Sequence, residues 1–364
     1  MVDYAARIKE LEDELRNTAY NKRTQHSIGL LKAKISRTRE KAQARASKGG
    51  GGYTYSVRKS GDASVVLVGY PSVGKSTLLN ELTNADSEIG EYAFTTLDVV
   101  PGLLEYKHAQ IQVLDVPGIL KGAAIGKGRG KEVLSVIRNA NMVLFLIDVK
   151  QPKHYKILFK EVYDSNMRVN QRKPDVKIIK KARGGIHIGT TVKLTHLTKK
   201  TAETILREFK ISNADVVIRS NITPDQFIDV IENNKHYIPG LIVLTKVDLA
   251  TDATISRVKK SLKADISVSS KNHHNIEKLK ELMYKKLDFI SVFCKEIGKK
   301  ADMDVPLIMY KGSTARDVCN KLHKDFAKNF KCVKVWGPSG KFPGQRLGIK
   351  HVLKDGDVVE IHTR

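Results

Sequence analysis

One eight-residue run constrains this chain more than any other. Residues 69–76 read GYPSVGKS, the pattern G-x-x-x-x-G-K-[ST]. It grows out of SVVLVGY (64–70), an apolar, β-branched run expected to be a buried strand, and leads into TLLNEL, which has helical spacing. Strand, glycine loop and helix in that order make a phosphate cradle. Gly69 and Gly74 let the backbone curl around Tyr70, Pro71, Ser72 and Val73, so that N–H groups turn toward phosphate oxygens. Lys75 is expected at the β- and γ-phosphates and the Ser76 hydroxyl on Mg²⁺. Thr77 continues into a helix whose positive end faces the same anion.

Three more motifs fit a nucleoside triphosphate. DVPG (Asp115, Val116, Pro117, Gly118) closes a second buried strand, IQVLDV (111–116). Asp115 is placed to hold Mg²⁺ through a water, and the Gly118 N–H to sense the γ-phosphate. TKVD (Thr245, Lys246, Val247, Asp248) ends the strand GLIVLT (240–245). A carboxylate there accepts from guanine N1–H and the 2-amino group together, a donor pair adenine lacks, so Asp248 points to GTP rather than ATP. Lys246 is expected along the base plane. Asn is commoner than Thr at the first position, where its amide braces the phosphate loop. Thr245 retains one hydroxyl. Ser269, Ser270 and Lys271 follow the strand-like DISVSS (265–270) and suit a loop whose backbone N–H reads guanine O6. Between cradle and DVPG lies FTTL, with Phe94, Thr95 and Thr96. Thr96, with Thr95 second, can reach Mg²⁺ only when the γ-phosphate is present, so this segment is read as a switch. The expected catalytic groups are Lys75, Thr96 and Gly118, and the metal ligands Ser76, Thr96 and Asp115. Ile119 and Leu120 follow Gly118, so no Gln is available there to orient water. The next stretch, GAAIGKGRGK (122–131), carries four glycines and three basic residues.

Charge speaks to partners. Lys and Arg number 64 against 39 Asp and Glu, a net charge of +25. The excess is uneven: +8 over residues 1–60, −1 over 61–164, +9 over 165–210, +2 over 211–294 and +7 over 295–364. A nearly neutral middle with basic attachments points to a polyanionic partner. No run of about 18 apolar residues occurs, and MVDYAARIKE has no apolar leader core, so neither a membrane span nor secretion is expected. Three cysteines without a CxxC fit a reducing cytoplasm. The expected oligomeric state is a monomer.

The chain divides into expected parts. Residues 3–19 and 26–47 read as two helices, with ten basic residues and one acid between Arg16 and Lys48, closed by four glycines at 49–52. This gives a basic helical hairpin and linker over 1–52. Buried strands alternating with helical patterns over 61–165 and 233–292 predict an α/β domain with a mainly parallel sheet. The interval between Asp148 and Thr245 is too long for one crossover. An inserted α+β subdomain is therefore read over 166–232, with β-like TTVKLTHL (190–197), helical TAETILREF (201–209) and strand-like ADVVIRS (214–220). Residues 293–364, with PLIMY (306–310), helical 315–326, CVKVWG (332–337) and VVEIHT (358–363), suggest a β-grasp module.

Taken together, these stretches resemble the Obg–HflX side of the translation-factor GTPases, and within it the developmentally regulated GTP-binding protein family. The resemblance runs nearly the whole chain through GYPSVGKSTLLN, FTTLDVVPG, LDVPGILKGAA, GGIHIG, NADVVIRS, YIPG and VWGPSGKFPGQRLG. It implies a helical hairpin, a GTPase domain, an inserted subdomain and a C-terminal TGS domain of ubiquitin-like fold. It further implies Mg²⁺, slow intrinsic GTP turnover to GDP, and a place on ribosomes or RNA reached through the hairpin, insert and TGS domain. Eukaryotic members have a dedicated protein partner. Related GTPases without the Gln often use potassium, held by a loop Asn; Ser72 stands at that position here, and its hydroxyl keeps potassium open as a cofactor.

Two other readings compete. In one, the chain is an RNA- or ribosome-binding module whose nucleotide is structural. It predicts equal RNA affinity with GDP and GTP, and the intact cradle, Asp115 and Thr96 weigh against it. In the other, the chain is an ATPase of the TGS-bearing relatives, and Asp248 weighs against that.

Overall fold

The computed structural model describes residues 4–19, 21, 24–47, 61–83, 100–116 and 136–364. In chain order it carries α1 (Tyr4–Asn17), α2 (Gln25–Ser47), β1 (Ala63–Val68), α3 (Lys75–Leu82), β2 (Val100–Tyr106), β3 (Ala109–Asp115), β4 (Met142–Asp148) and α4 (His154–Asp164). There follow β5 (Met167–Val169), β6 (Val176–Lys180), β7 (Ile186–Thr190), α5 (Lys199–Glu208), β8 (Ala214–Ile218), α6 (Pro224–Glu232), β9 (His236–Ile238) and β10 (Gly240–Thr245). The last third holds α7 (Asp252–Leu262), β11 (Ile266–Ser267), α8 (Ile276–Lys286), β12 (Phe289–Cys294), β13 (Leu307–Tyr310), α9 (Ala315–Leu322), α10 (Lys324–Lys328), β14 (Phe330–Trp336), β15 (Gln345–Leu347) and β16 (Asp357–Thr363). The chain forms two compact units: residues 1–54 with 166–237, and residues 55–165 with 238–364.

The larger unit is built on a six-stranded sheet in the order β11–β10–β4–β1–β3–β2. Every pairing is parallel except β2–β3. The mostly apolar runs of β1 and β4 take central places, buried on both faces, as parallel strands require. Leu144 and Leu146 face one core with Leu78, Leu82, Leu279 and Met283 of α3 and α8. Phe145 faces the other side, against Tyr155 and Phe159 of α4. Parallel strands end together, so the carboxyl ends of β1, β3, β4 and β10 bring Gly69, Asp115, Asp148 and Thr245 to one edge.

In the same unit, a five-stranded sheet runs β13–β12–β16–β14–β15. Helix α9 packs Ala315 and Val318 against one face of it, with Val292, Val333 and Val359, which is a β-grasp. A capping box between Thr314 and Asp317 starts this helix. The helix expected over 315–326 is broken: His323 is extended at φ −163° and its ring accepts the Asp325 N–H at 3.3 Å, opening α10. Asp62, just before β1, fixes this module to the first sheet. Its Oδ1 accepts from Lys321 at 2.5 Å and its carbonyl from the Tyr310 hydroxyl at 3.1 Å. An aromatic row, Tyr106–Tyr284–Phe289–Tyr310, continues the join, with centroids 5.8, 5.5 and 5.2 Å apart.

The smaller unit contains the three-stranded sheet β6–β8–β7, with α5 and α6 covering one face through Ile205, Leu206, Phe227 and Ile228. The strand expected at 190–197 ends at Thr190. Asn221 takes the Thr195 N–H at 3.0 Å and donates to its hydroxyl at 2.8 Å, so that backbone is satisfied without a ladder. Helix α2 lies on α5 and α6. Gly29 allows the approach, because a Cβ there would meet Thr201 Cγ2 at 2.7 Å. Lys32 pairs with Asp225 at 2.5 Å, Arg37 with Glu208 at 2.8 Å, and the Ser36 hydroxyl with Glu232. Arg39 binds Glu12 of α1 at 2.5 Å. Several of the hairpin's cations thus serve inside the unit. β5 and β9 pair beside a buried, bidentate contact of Arg168 with Asp229, at 2.6 and 2.7 Å.

Candidate nucleotide site

The phosphate loop has the backbone its glycines foretell. A Cβ on Gly69 would meet Val73 Cγ1 at 2.8 Å and the Leu146 carbonyl at 3.0 Å, so no larger residue fits. Gly74 takes φ +96° as the N-cap of α3, and Ser72 takes φ +61°. Lys75 is 9% exposed. Among the described residues its ammonium donates to the Gly69 and Tyr70 carbonyls, at 3.4 and 3.3 Å. Burial pushes its pKa below the ordinary value, while the Asp115 carboxylate opposes that shift. A desolvated ammonium on two long contacts suits an anion. The Ser76 hydroxyl donates to Asp115 Oδ2 at 2.6 Å, joining the loop to the end of β3. A hydroxyl and a carboxylate meeting beside a cationic cradle are the oxygen donors that Mg²⁺ takes with phosphates.

The second half of the site lies at the ends of β10 and β11. Thr245 is buried, and its hydroxyl donates to the Val73 carbonyl at 2.9 Å, with the Ile147 carbonyl at 3.4 Å. The strand end therefore braces the phosphate loop without an amide. Asp248 is exposed and accepts from the Ser269 hydroxyl at 2.6 Å. That hydrogen bond, ahead of Lys271 and Lys150, holds its carboxyl below the usual range. Ser269 itself is buried, and its backbone pairs with His274 at 3.3 and 2.9 Å. The carboxylate expected to read guanine is thus oriented from beneath. Val247 is buried, and Ser270 and Lys271 continue the loop toward solvent.

Two residues join the site that the motifs did not name. Asp148 accepts from Lys246 Nζ at 3.0 Å and from the Lys150 N–H at 2.8 Å. Its signal was present in the sequence, as a carboxylate ending a buried strand in the manner of Asp115. His154 stacks on Tyr70 at 4.0 Å between centroids and 21° between planes. Nothing in the pattern singled out that histidine. Phe94, Thr95, Thr96, Pro117 and Gly118 lie outside the described residues, as does the stretch 122–131. Among the described residues, no cluster of His, Cys, Asp and Glu suits a metal ion, and no helix is long and apolar enough to cross a membrane.

Such a sheet, with this loop at its edge and a β-grasp behind it, defines a P-loop GTPase with a C-terminal TGS domain. Residues 64–181 match the family described as 50S ribosome-binding GTPase, 183–289 the C-terminal region of that domain, and 292–363 the TGS domain. An uncharacterized GTP-binding protein of Methanocaldococcus jannaschii is 54% identical over 97% of this chain and 91% of its own length. Developmentally-regulated GTP-binding protein 2 of Homo sapiens is 39% identical over 98% of each chain. Developmentally-regulated G-protein 3 of Arabidopsis thaliana is 42% identical over 98% of this chain and 97% of its own. The solved GTP binding protein of Pyrococcus horikoshii OT3 aligns at a TM-score of 0.42 and 17% identity, over 83% of this chain and all of that one. The sequence relatives decide the matter: this chain belongs to the developmentally regulated GTP-binding protein family, whose members are GTP-binding proteins of the GTPase class.

Proposed function

We propose that the chain is a Mg²⁺-dependent GTP switch of low intrinsic turnover, acting on RNA or the ribosome. The observation that carries this reading is the Ser76–Asp115 contact at 2.6 Å beside the buried Lys75. In it, Ser76 and Asp115 hold Mg²⁺, with Thr96 as the ligand that arrives only with the γ-phosphate. The metal supplies charge neutralisation at the phosphate oxygens. Lys75 stabilises charge on the transferring group, Gly118 senses the same phosphate through its N–H, and Asp248 with Lys246 selects guanine. Ile119 and Leu120 offer no group to orient water, which supports slow hydrolysis. Ser72, exposed on the loop, is the proposed potassium ligand.

The hairpin, insert and TGS module are read as polyanion-facing, on the charges of +8, +9 and +7 over residues 1–60, 165–210 and 295–364. In this reading the domains are 1–52, 61–165 with 233–292, 166–232 and 293–364, with a protein partner as in eukaryotic relatives, a monomeric state and a cytoplasmic setting. The test compares RNA affinity with GDP and with a non-hydrolysable GTP analogue, in Mg²⁺ and in EDTA. A several-fold difference that EDTA abolishes is expected. Equal affinities in every arm would leave an RNA-binding module with a structural nucleotide. GTP turnover in potassium chloride against sodium chloride at equal ionic strength tests Ser72: a several-fold gain in potassium is expected, and equal rates would remove the monovalent ion.

A further inference from the structure

Residues 148–154 leave β4 and enter α4, and they touch both halves of the nucleotide site. At one end Asp148 accepts from Lys246 Nζ at 3.0 Å. The Asp148 side chain is 16% exposed and that of Lys246 34%, so water screens the pair only in part. Lys246 takes φ +56°, a left-handed backbone that costs a lysine energy. At the other end the His154 ring lies on Tyr70 at 4.0 Å and 21°. The Tyr70 carbonyl accepts the Lys75 ammonium and the Val73 N–H, each at 3.3 Å. The ring stack therefore sets where one of the two carbonyls around Lys75 stands. Between its ends the segment is fixed. Val149 is buried, and its N–H donates to the Thr245 carbonyl at 3.3 Å. The Gln151 N–H donates to the Asp148 carbonyl at 2.9 Å, and the His154 N–H to the Gln151 carbonyl at 3.2 Å. Tyr155 and Phe159 then seat α4 on Phe145 of β4.

We infer that Asp148 and His154 are positioning residues for GTP, carried on one rigid turn. Asp148 holds Lys246 along the guanine base, and His154 acts through Tyr70 to aim the Lys75 ammonium at the β- and γ-phosphates. The inference rests on the reading above that gives Lys75 the phosphates and Lys246 the base. Contacts of 3.3 and 3.4 Å leave the ammonium able to shift toward an anion, and the carbonyls behind it set the direction of that shift. The imidazole meets Tyr70 nearly face to face, so the contact depends on a flat ring and not on a proton. A phenyl ring can therefore take its place.

The test uses the full chain and three readouts: affinity for fluorescent GDP, affinity for a fluorescent non-hydrolysable GTP analogue, and the single-turnover rate of GTP hydrolysis at saturating chain. His154→Ala should weaken the analogue about three-fold or more beyond its effect on GDP, and slow the single turnover several-fold. His154→Phe keeps a stacking ring and should return both to within about two-fold of the unmodified chain. Asp148→Ala should weaken GDP and the analogue by one common factor of about five, the upper range for a partly exposed ion pair. Lys153→Ala, exposed at the start of α4, is the control and should match the unmodified chain. If His154→Ala or Asp148→Ala does not fold, His154→Leu (apolar but not flat) and Asp148→Asn (uncharged but still an acceptor) replace them. His154→Phe as impaired as His154→Ala would overturn the inference, and so would equal losses of GDP and analogue in His154→Ala. So would an Asp148→Ala variant that changes neither affinity, or that shifts their ratio as His154→Ala does. If the unmodified chain binds no GDP, or Lys75→Ala binds both nucleotides as well as it does, the reading of the cradle itself fails.

Discussion

Thr245 shows how little of a side chain the phosphate loop requires of its neighbour. One hydroxyl at 2.9 Å from the Val73 carbonyl replaces the amide usual at that position. Thr245→Val keeps the shape and removes the donor, leaving a buried carbonyl unpaired. It should cost about 1–2 kcal/mol of GDP affinity, roughly 5- to 30-fold, in a fluorescent-nucleotide titration. Asp248→Asn tests the other half of the site. An amide can donate where guanine also donates, so GTP affinity should fall on the order of 100-fold or more. Xanthosine triphosphate, with a carbonyl in place of the 2-amino group, should gain. Parallel losses for both nucleotides would mean that Asp248 does not read the base. Glu360 carries a pH prediction. Burial pushes its pKa up, but hydrogen bonds from Lys295, Lys334 and His362 prevail and hold it at about 2, against an ordinary value of 4.5. The folded value is the depressed one, so the stabilisation is complete above about pH 4.5 and disappears as pH falls toward 2. Glu360→Gln should lower the melting temperature at neutral pH, and the gap from the unmodified chain should close over that acid range.

Helix α2 is held by close approach and by charge at once. Glycine inside a helix costs about 1 kcal/mol relative to alanine, and Gly29 is there because α5 passes too near for a Cβ. Gly29→Ala should therefore destabilise the smaller unit despite its better helix propensity. Faster hydrogen exchange confined to α2 and α5 would register it, and slower exchange there would contradict the packing. Asp229→Ala is the stronger lesion. Arg168 and Asp229 are each about 5% exposed in their side chains, and removing one partner strands a buried charge. A loss of about 3–5 kcal/mol in denaturant unfolding is expected, with Arg168→Met/Asp229→Leu recovering most of it. The sequence made the central elements legible because they are self-contained signals. β1, β4 and β10 are strongly apolar runs, and α5 has strong periodicity. β2 escaped because VPGLLEY has proline and glycine at its second and third positions, which suits only an edge strand. β6 escaped because two of the five residues of VKIIK are lysines. The brace from Thr245 and the tether from Asp148 to Lys246 depend on strand order, which no local pattern encodes.

At the scale of the molecule, the sequence suggested four parts and the fold makes two bodies of them. The TGS module is joined to the sheet edge by Asp62, Lys321 and an aromatic row, and the hairpin belongs with the insert. Lys321→Ala should show whether the first join is cooperative. One unfolding transition shifted downward is expected, and a new early transition would mean that the TGS module melts alone.

The hairpin's attachment to the insert has a consequence for how the chain is made. α2 leaves the ribosome early, but its bed on α5 and α6 is not synthesised until residues 199–232. At 5–20 residues per second the hairpin waits roughly ten to thirty seconds, with its apolar face unmatched. Meanwhile β1 to β4 emerge and can begin their sheet, which in turn lacks β10 and β11 until the insert is finished. The smaller body can close once residue 237 is made, while the larger one still awaits residues 238–364. Birth order thus makes the nascent chain most vulnerable in mid-synthesis, when α1 and α2 have only each other to cover them.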